Sequence, residues 1–322
     1  MTVKTNRVIV IGTSAGGLEA LESLIAKLPV DIPAAIFIVQ HMAPENTGQA
    51  LLQLLKNATS LPCKMAENDD IFQTGNIYIA PPDNHLLVKK KNLLVTKGAR
   101  ENRYRPGIDP LFRSAAVTHH SSVIGVLLTG MLDDGTAGLI AIEKCGGVTV
   151  VQDPQDAAYP QMPQSAIANV NVDHVVPVGE MGLLLGKLAR ENPGKSRPVP
   201  KEIKIEAEIA ERVLSDVRQV NYLGKQVPYN CPNCGGVLWQ MEGAAPPRYR
   251  CHTGHSFSVP ALLVSQTEKI EETLWVCLRM LEERKNLLNG MPGPKHTSVV
   301  DRIKEAQMHI ESIREILVSP ES

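Results

Sequence analysis

Two apolar runs constrain the fold of this chain more than any other feature. AIFIV at residues 35–39 and VIGVLL at 123–128 are continuous and β-rich, without the apolar–polar alternation of a half-exposed strand. A strand that is apolar on both sides is buried on both sides, as in a parallel sheet covered by helices. Around these runs, strand-like segments at 8–12, 33–40, 76–80 and 147–152 alternate with amphipathic stretches at 18–27, 48–56, 110–118 and 136–145. In the first helix Leu18, Leu21, Leu24 and Ile25 share one face. Residues 86–105 are more polar and read as a hairpin with Asn92 in its turn. The expected class is α/β, a doubly wound, mostly parallel sheet with helices on both faces.

Composition narrows the function classes. The chain has 322 residues, 43% hydrophobic and 21% charged, which excludes disorder over most of its length. Thirty-three basic against 34 acidic residues leave a formal charge of −1, which argues against a nucleic-acid binder. No apolar run reaches the ~18–20 residues of a membrane helix, so no membrane insertion is expected. The polar start leads directly into a strand and does not read as a secretory signal. Six cysteines then read as reduced thiols or metal ligands in a cytoplasmic protein.

The glycine-rich turn GTSAGG at 12–17 leaves the first strand and opens the first helix. It fits either a phosphate cradle or a turn that presents a serine nucleophile with N–H groups nearby. A dinucleotide site needs an Asp or Glu about 20 residues on, at the end of the second strand. That strand ends instead in Gln40 and His41, and an imidazole there suits a general base. The strand at 123–129 runs into Asp133, Asp134 and Gly135. Ser14, His41 and Asp134 thus all lie just past strand carboxyl ends, where open parallel sheets bind ligands. Their order, Ser, His, Asp, is compatible with a triad, which is defined by roles.

At these residues the chain resembles the catalytic domain of the CheB family of chemotaxis receptor protein-glutamate methylesterases. The matching stretches are VIGTSAGG at 10–17, VQHM at 39–42, IAPP at 79–82, DPLF at 109–112, LLTGM at 127–131 with Asp134 and Gly135, and 158–167. The resemblance implies hydrolysis of glutamyl methyl esters on methylated chemoreceptor-like proteins, with release of methanol and often deamidation of glutamines, and no catalytic cofactor. It places the nucleophile on Ser14, the base on His41, the orienting carboxylate on Asp134 and oxyanion donors on the backbone N–H groups of Ala15 and Met131. Leu132 stands where the family commonly has glycine, which keeps Asp133 open as the carboxylate. The family's receiver domain has no counterpart in this sequence, so recruitment is expected to set activity in place of phosphorylation.

Residues 192–200, NPGKSRPVP, read as a linker by composition. The expected domains are 1–190 catalytic, 191–228 linker and connecting segment, 229–258 a Cys/His module and 259–322 a helical hairpin. In the module, Cys231 and Cys234 followed by glycines form a knuckle, and Cys251 with His255 completes a tetrahedral set for a structural zinc. His252 is the alternative fourth ligand. The fold therefore gains a small zinc-ribbon-like module, with Trp239, Tyr249 and Phe257 as its apolar core. Cys63, Cys145 and Cys277 read as buried small hydrophobes, and His85, after the turn at 81–82, as a solvated loop residue in preference to one that lines the cleft.

Two helices at 259–289 and 297–318 are expected, joined by GMPGP at 290–294. Ile303, Ala306, Ile310, Ile313 and Leu317 follow a 3-4-3-4 seam. Such a seam must pack on its neighbour helix, on a second copy in a homo-oligomer or on a partner. The alternative to the esterase is a catalytically minor adaptor that docks receptors to a partner through the Cys/His module and the helices, and the intact Ser14, His41 and Asp134 set argues against a purely adaptor role.

Overall fold

The computed structural model describes residues 7–212, 216–244, 246–292 and 297–318. Positions 1–6 of the polar start, 213–215 of the connecting segment, and 293 and 294 of the expected helix-joining loop lie outside the described residues.

The chain opens with β1 (Arg7–Thr13), α1 (Gly17–Ile25), β2 (Ala34–Gln40), α2 (Gln49–Ala58), β3 (Cys63–Met65) and β4 (Ile77–Ile79). An antiparallel pair, β5 (His85–Val88) and β6 (Leu93–Thr96), leads into α3 (Ile108–His119) and β7 (Val123–Leu127). Then follow α4 (Thr136–Lys144), β8 (Val148–Gln152), α5 (Gln161–Asn169), β9 (His174–Val176) and α6 (Val178–Arg190). Seven strands form one sheet of order β3-β4-β2-β1-β7-β8-β9, and every neighbouring pair is parallel.

The two continuous apolar runs, in β2 and β7, flank β1 at the centre of this sheet. All three strands are buried along their length. Their pleat sends alternate residues to opposite layers. Val8 and Val10 face Phe112 of α3 and Leu139 and Ile142 of α4, whereas Ile9 and Ile11 face Leu21 and Leu24 of α1 and Leu185 of α6. Each such side chain removed from water contributes about 1.5–3 kcal/mol. The chain winds outward from β1 through β2, then returns to the other side of β1 as β7. That reversal opens a crevice at the carboxyl ends of β1, β2 and β7.

The connecting segment behind the 192–200 linker, which the sequence leaves as helical or irregular over 201–220, is folded. Lys201–Arg212 is a helix, α7, that buries Ile203, Glu206, Ala207, Ile209 and Ala210. Ile203 joins the core layer of α3 and α4. Proline and glycine at 192–200 mark an irregular connection, but the amphipathic stretch behind it docks. Val217–Leu223 forms α8, opened by a capping box of Asp216 and Gln219.

The Cys/His region begins before the expected Tyr229, because β10 spans Gly224–Asn230. With β11 (Val237–Met241), β12 (Arg248–Cys251) and β13 (Ser256–Ser258) it makes a four-stranded antiparallel sheet. Leu238, Phe257 and Leu262 pack against Cys231 and Cys251 in its core, with Tyr249 at the margin. Trp239 is also buried, and its indole N–H donates to Asn221 of α8 at 2.8 Å.

This sheet is not a separate bead. Residues up to Leu262 belong to one compact unit. Arg113 of α3 donates to both oxygens of Glu101 at 2.8 and 2.7 Å, while Arg248 and Arg250 of β12 donate to Glu206 of α7 at 2.9–3.0 Å. Arg250 also lies 3.2 Å from Glu101. Burial alone would push both carboxyls up, yet the surrounding guanidinium groups outweigh it and hold Glu101 and Glu206 below the ordinary carboxylate range.

Leu263 onward forms a second unit. It holds the rest of α9 (Val259–Gly290) and α10 (Thr297–Val318), linked by Lys285 to Gln307 at 3.1 Å and Arg314 to Glu282 at 3.0 Å. In the seam Ala306 and Ile310 are buried, and Ile303, Ile313 and Leu317 are half-buried. Cys63 and Cys145 are buried, as expected of small hydrophobes, but Cys277 is exposed on α9. No described helix is long and apolar enough to cross a membrane.

Candidate active site and metal cluster

Ser14 follows the last residue of β1. Its N–H donates to the Thr129 carbonyl at 3.0 Å, which ties the turn to the exit of β7. Gly16 has φ 72°, a left-handed conformation that turns the chain into α1 at low cost only for glycine. Gln40, the last residue of β2, donates through Nε2 to the carbonyls of Ser14 and His41 at 2.9 and 3.0 Å. That one side chain fixes the backbone of both residues.

The side chains converge as strand topology requires. His41 Nδ1 lies 3.0 Å from Ser14 Oγ, and His41 Nε2 lies 2.8 Å from Asp134 Oδ2. An imidazole that accepts at Nδ1 and donates from Nε2 satisfies both contacts. The ring is buried, and Tyr104 covers one face of it.

Asp134 is surrounded by donors. Oδ2 also accepts the Ile108 N–H at 2.8 Å, and Oδ1 accepts from Asn102 Nδ2 at 3.0 Å and from the N–H groups of Gly135 and Asp109 at 3.1 and 3.3 Å. The Ile108 and Asp109 amides belong to the first turn of α3, whose dipole favours an anion there. Burial would push the Asp134 carboxyl up, but the bonds from His41, Asn102 and Ile108 prevail and hold it below the ordinary range.

Asp133 points elsewhere. Its Oδ1 accepts the Ser258 hydroxyl at 2.6 Å, and burial raises its carboxyl. Asp109 accepts the N–H groups of Gly135 and Gly138 at 3.1 and 2.6 Å. Burial and the neighbouring Asp134 charge push Asp109 up to about 8.

Among the described residues no acceptor engages the N–H groups of Ala15 or Met131. Leu132 has φ 62°, so the position where glycine was missed is one that glycine favours. Ser14, Ala15 and His41 line a cleft of about 470 Å³ that Arg100, Arg103 and Arg105 also border. Arg105 is committed to Asp83 at 2.6 and 2.9 Å. His85 does not reach this cleft and is not solvated. It is buried in β5, where Nδ1 accepts the Gly107 N–H at 3.1 Å and Nε2 donates to the Ala99 carbonyl at 2.9 Å.

Sequence reasoning missed Gln40, Asn102, Tyr104 and Asp109 as parts of this site. Asn102 and Arg103 have φ 47° and 78°, and an asparagine in a polar stretch is the one cue to such a bend. Nothing local shows where the bend leads.

In the second sheet, ligand atoms of Cys231, Cys234, Cys251 and His255 all lie within 4.8 Å of one another. The knuckle closes through Gly235 N–H to the Cys231 carbonyl at 2.8 Å and Cys231 N–H to the Gly236 carbonyl at 2.7 Å. Cys234 and Cys251 sulfurs are 3.8 Å apart, and Cys251 Sγ is 3.5 Å from His255 Nδ1. Two sulfurs about 2.3 Å from a tetrahedral zinc would be ~3.8 Å apart, and a sulfur and an imidazole nitrogen ~3.6 Å. The donor set fits zinc in both chemistry and size. His252 is not one of the converging groups.

Comparison with known proteins bears on the first sheet. A sequence model described as CheB methylesterase matches residues 9–185. A protein of Leptospira interrogans serovar copenhageni is 38% identical over 185 residues, covering 57% of this chain and 95% of its own. Protein-glutamate methylesterase/protein-glutamine glutaminase 1 of Geobacter metallireducens is 40% identical over 181 residues, covering 55% of this chain and 49% of the relative. The match thus spans about half the length of that relative. The crystal structure of the Thermotoga maritima CheB methylesterase catalytic domain superposes with a TM-score of 0.55 at 35% identity, over 57% of this chain and 98% of that one.

Proposed function

We propose that this chain, which belongs to the CheB methylesterase family, hydrolyses glutamyl methyl esters on chemoreceptor-like proteins through Ser14, His41 and Asp134. The observation that carries this reading is the continuous hydrogen-bonded line from Ser14 Oγ through His41 to Asp134, at 3.0 and 2.8 Å.

Ser14 Oγ attacks the ester carbonyl while His41 Nδ1 takes its proton. The imidazolium then protonates the departing methoxide, methanol leaves, and water resolves the glutamyl-enzyme by the reverse sequence. Asp134 orients the ring through Nε2–H and stabilises its charge. Ala15 and Met131 N–H groups receive the oxyanion, and each such donor is worth about 10²–10³ in turnover. A glutamine carboxamide enters the same scheme, with ammonia as leaving group. The arginine-bordered cleft suits a segment rich in free carboxylates.

A fluorophosphonate probe tests the reading, with methanol release from a methylated receptor fragment measured alongside. It should label Ser14 and leave Ser14→Ala and His41→Ala unlabelled. Labelling of the Ser14→Ala protein would overturn the assignment.

In the second sheet Cys231, Cys234, Cys251 and His255 would hold a structural zinc, which would tie the knuckle after β10 to the turn after β12. Metal analysis should find about one zinc per chain, and less in His255→Ala. Full retention in that variant would move the fourth ligand to His252.

A further inference from the structure

The loop that carries Asn102 and Tyr104 is held by the second sheet, not by the α/β core alone. Asn102 N–H donates to the Ser256 carbonyl at 2.8 Å, and Ser256 N–H to the Arg100 carbonyl at 3.4 Å. Beyond this, Ser258 N–H donates to Asn102 Oδ1 at 3.0 Å, which fixes the amide so that its NH₂ faces the other way. That NH₂ then donates to Asp134 Oδ1 and to Asp109 Oδ2, both at 3.0 Å. Ser258 Oγ donates to Asp133 Oδ1 at 2.6 Å, which pins the residue next to Asp134, and accepts the Ala261 N–H at 3.3 Å. Ser258, Asn102, Asp133 and Asp134 are all buried.

We infer that Ser258 of β13 is a positioning residue of the active site, its hydroxyl acting through Asp133 and its backbone N–H through Asn102 to fix the Asp134 carboxylate against His41. The appended sheet is then part of the catalytic apparatus. The physical reason is directional. An asparagine amide can rotate to present either end, and the Ser258 backbone N–H at Oδ1 commits its NH₂ toward Asp134 and Asp109, while the Ser258 hydroxyl separately holds Asp133. A buried carboxylate that loses a donor seeks another or drifts, and a hydrogen bond to a charged group costs about ten- to hundredfold in rate when it is lost from a catalytic line. Catalytic geometry is sensitive on this scale.

This inference rests on the esterase reading, and its test separates the two. Full-length Ser258→Ala, Ser258→Thr and Asn102→Ala proteins are assayed on a small soluble ester beside the parent chain. Ser258→Ala, which removes the bond to Asp133 and keeps the N–H on Asn102, should lower kcat about tenfold with KM unchanged, and Ser258→Thr, which keeps the hydroxyl, should restore it. Asn102→Ala should lower kcat about ten- to hundredfold. A merely structural role for Ser258, as a cap for Ala261, predicts a lower melting temperature in Ser258→Ala with parental kcat, and that result overturns the inference. If Asn102→Ala fails to fold, Asn102→Asp, which still accepts the Ser258 N–H but no longer donates to Asp134, should show the same loss, and parental kcat in it would overturn the route through Asn102.

An inactive parent chain would bring down the esterase reading, and amide exchange then judges the positioning. Exchange at Ile108 and Gly135, whose N–H groups bond Asp134, should quicken about tenfold in Ser258→Ala while β1 stays protected. Parental exchange at both amides would overturn it.

Discussion

Tyr104 lies flat against the His41 imidazole, with ring centroids 3.7 Å apart and planes 9° from parallel. The stack covers one face of the base, while both ring nitrogens at its edge reach Ser14 and Asp134. Aromatic pairs are worth about 0.5–1.5 kcal/mol beyond their buried area. Tyr104→Phe should therefore keep parental turnover, whereas Tyr104→Ala should lower kcat about three- to tenfold. Steady-state ester hydrolysis checks both.

The adjacent carboxylates should separate cleanly. Asp134→Asn disturbs the tautomer that His41 needs, and a loss of about 10⁴ in kcat is expected. Asp133→Asn keeps an acceptor for the Ser258 hydroxyl and should cost less than about tenfold. A dead Asp133→Asn beside an active Asp134→Asn would reverse the assignment.

Acid should loosen the joint between the two sheets. Glu206 and Glu101 sit below their ordinary range in the fold because buried arginines surround them. A depressed carboxylate contributes stability that is complete above its unfolded value, about 4.3, and drains away as pH falls through the folded one. Glu206→Gln should cost about 3–5 kcal/mol near pH 7, since three guanidinium groups lose a charged partner. Urea titrations at pH 7, 5 and 3 should show the gap between parent and variant narrowing toward acid. A gap that widens would refute this account.

Leu132 carries a left-handed backbone, φ 62°, beside the site. That conformation costs a residue with a Cβ about 1–2 kcal/mol, and glycine escapes it at some entropic expense. Leu132→Gly should raise unfolding stability by about 0.5–1 kcal/mol in chemical denaturation. Its N–H to Gln161 Oε1, 2.9 Å, is unaffected by the exchange.

Much of this was legible from residues alone. Continuous apolar runs announce a sheet buried on both faces, and strand exits in such a sheet place Ser14, His41 and Asp134 together. What was hidden is tertiary. Residues 192–200 have linker composition, but whether the following helix docks depends on a surface of α3 that no local pattern describes. Glu206 reads as an ordinary helix charge until Arg113, Arg248 and Arg250 are seen around it. Asn102 and Tyr104 sit in a polar stretch whose two left-handed residues aim it at the site. Cys277 lacks the burial its isolation suggested, because α9 turns that position outward.

The ion cluster around Arg113 also sets where a crossover in this chain would keep its buried charges together. Arg113 lies in α3, inside the span that matches the family, yet Glu206, Arg248 and Arg250 come from beyond residue 185. A crossover near Arg190 would keep Arg113 with Glu101 and Glu206 with Arg248 and Arg250, but it would part Arg113 from Glu206 and Glu101 from Arg250, leaving each half-cluster with fewer partners. A breakpoint after Leu262 leaves every member of the cluster with its partners. The structural unit of this chain therefore extends well past the stretch that matches the family.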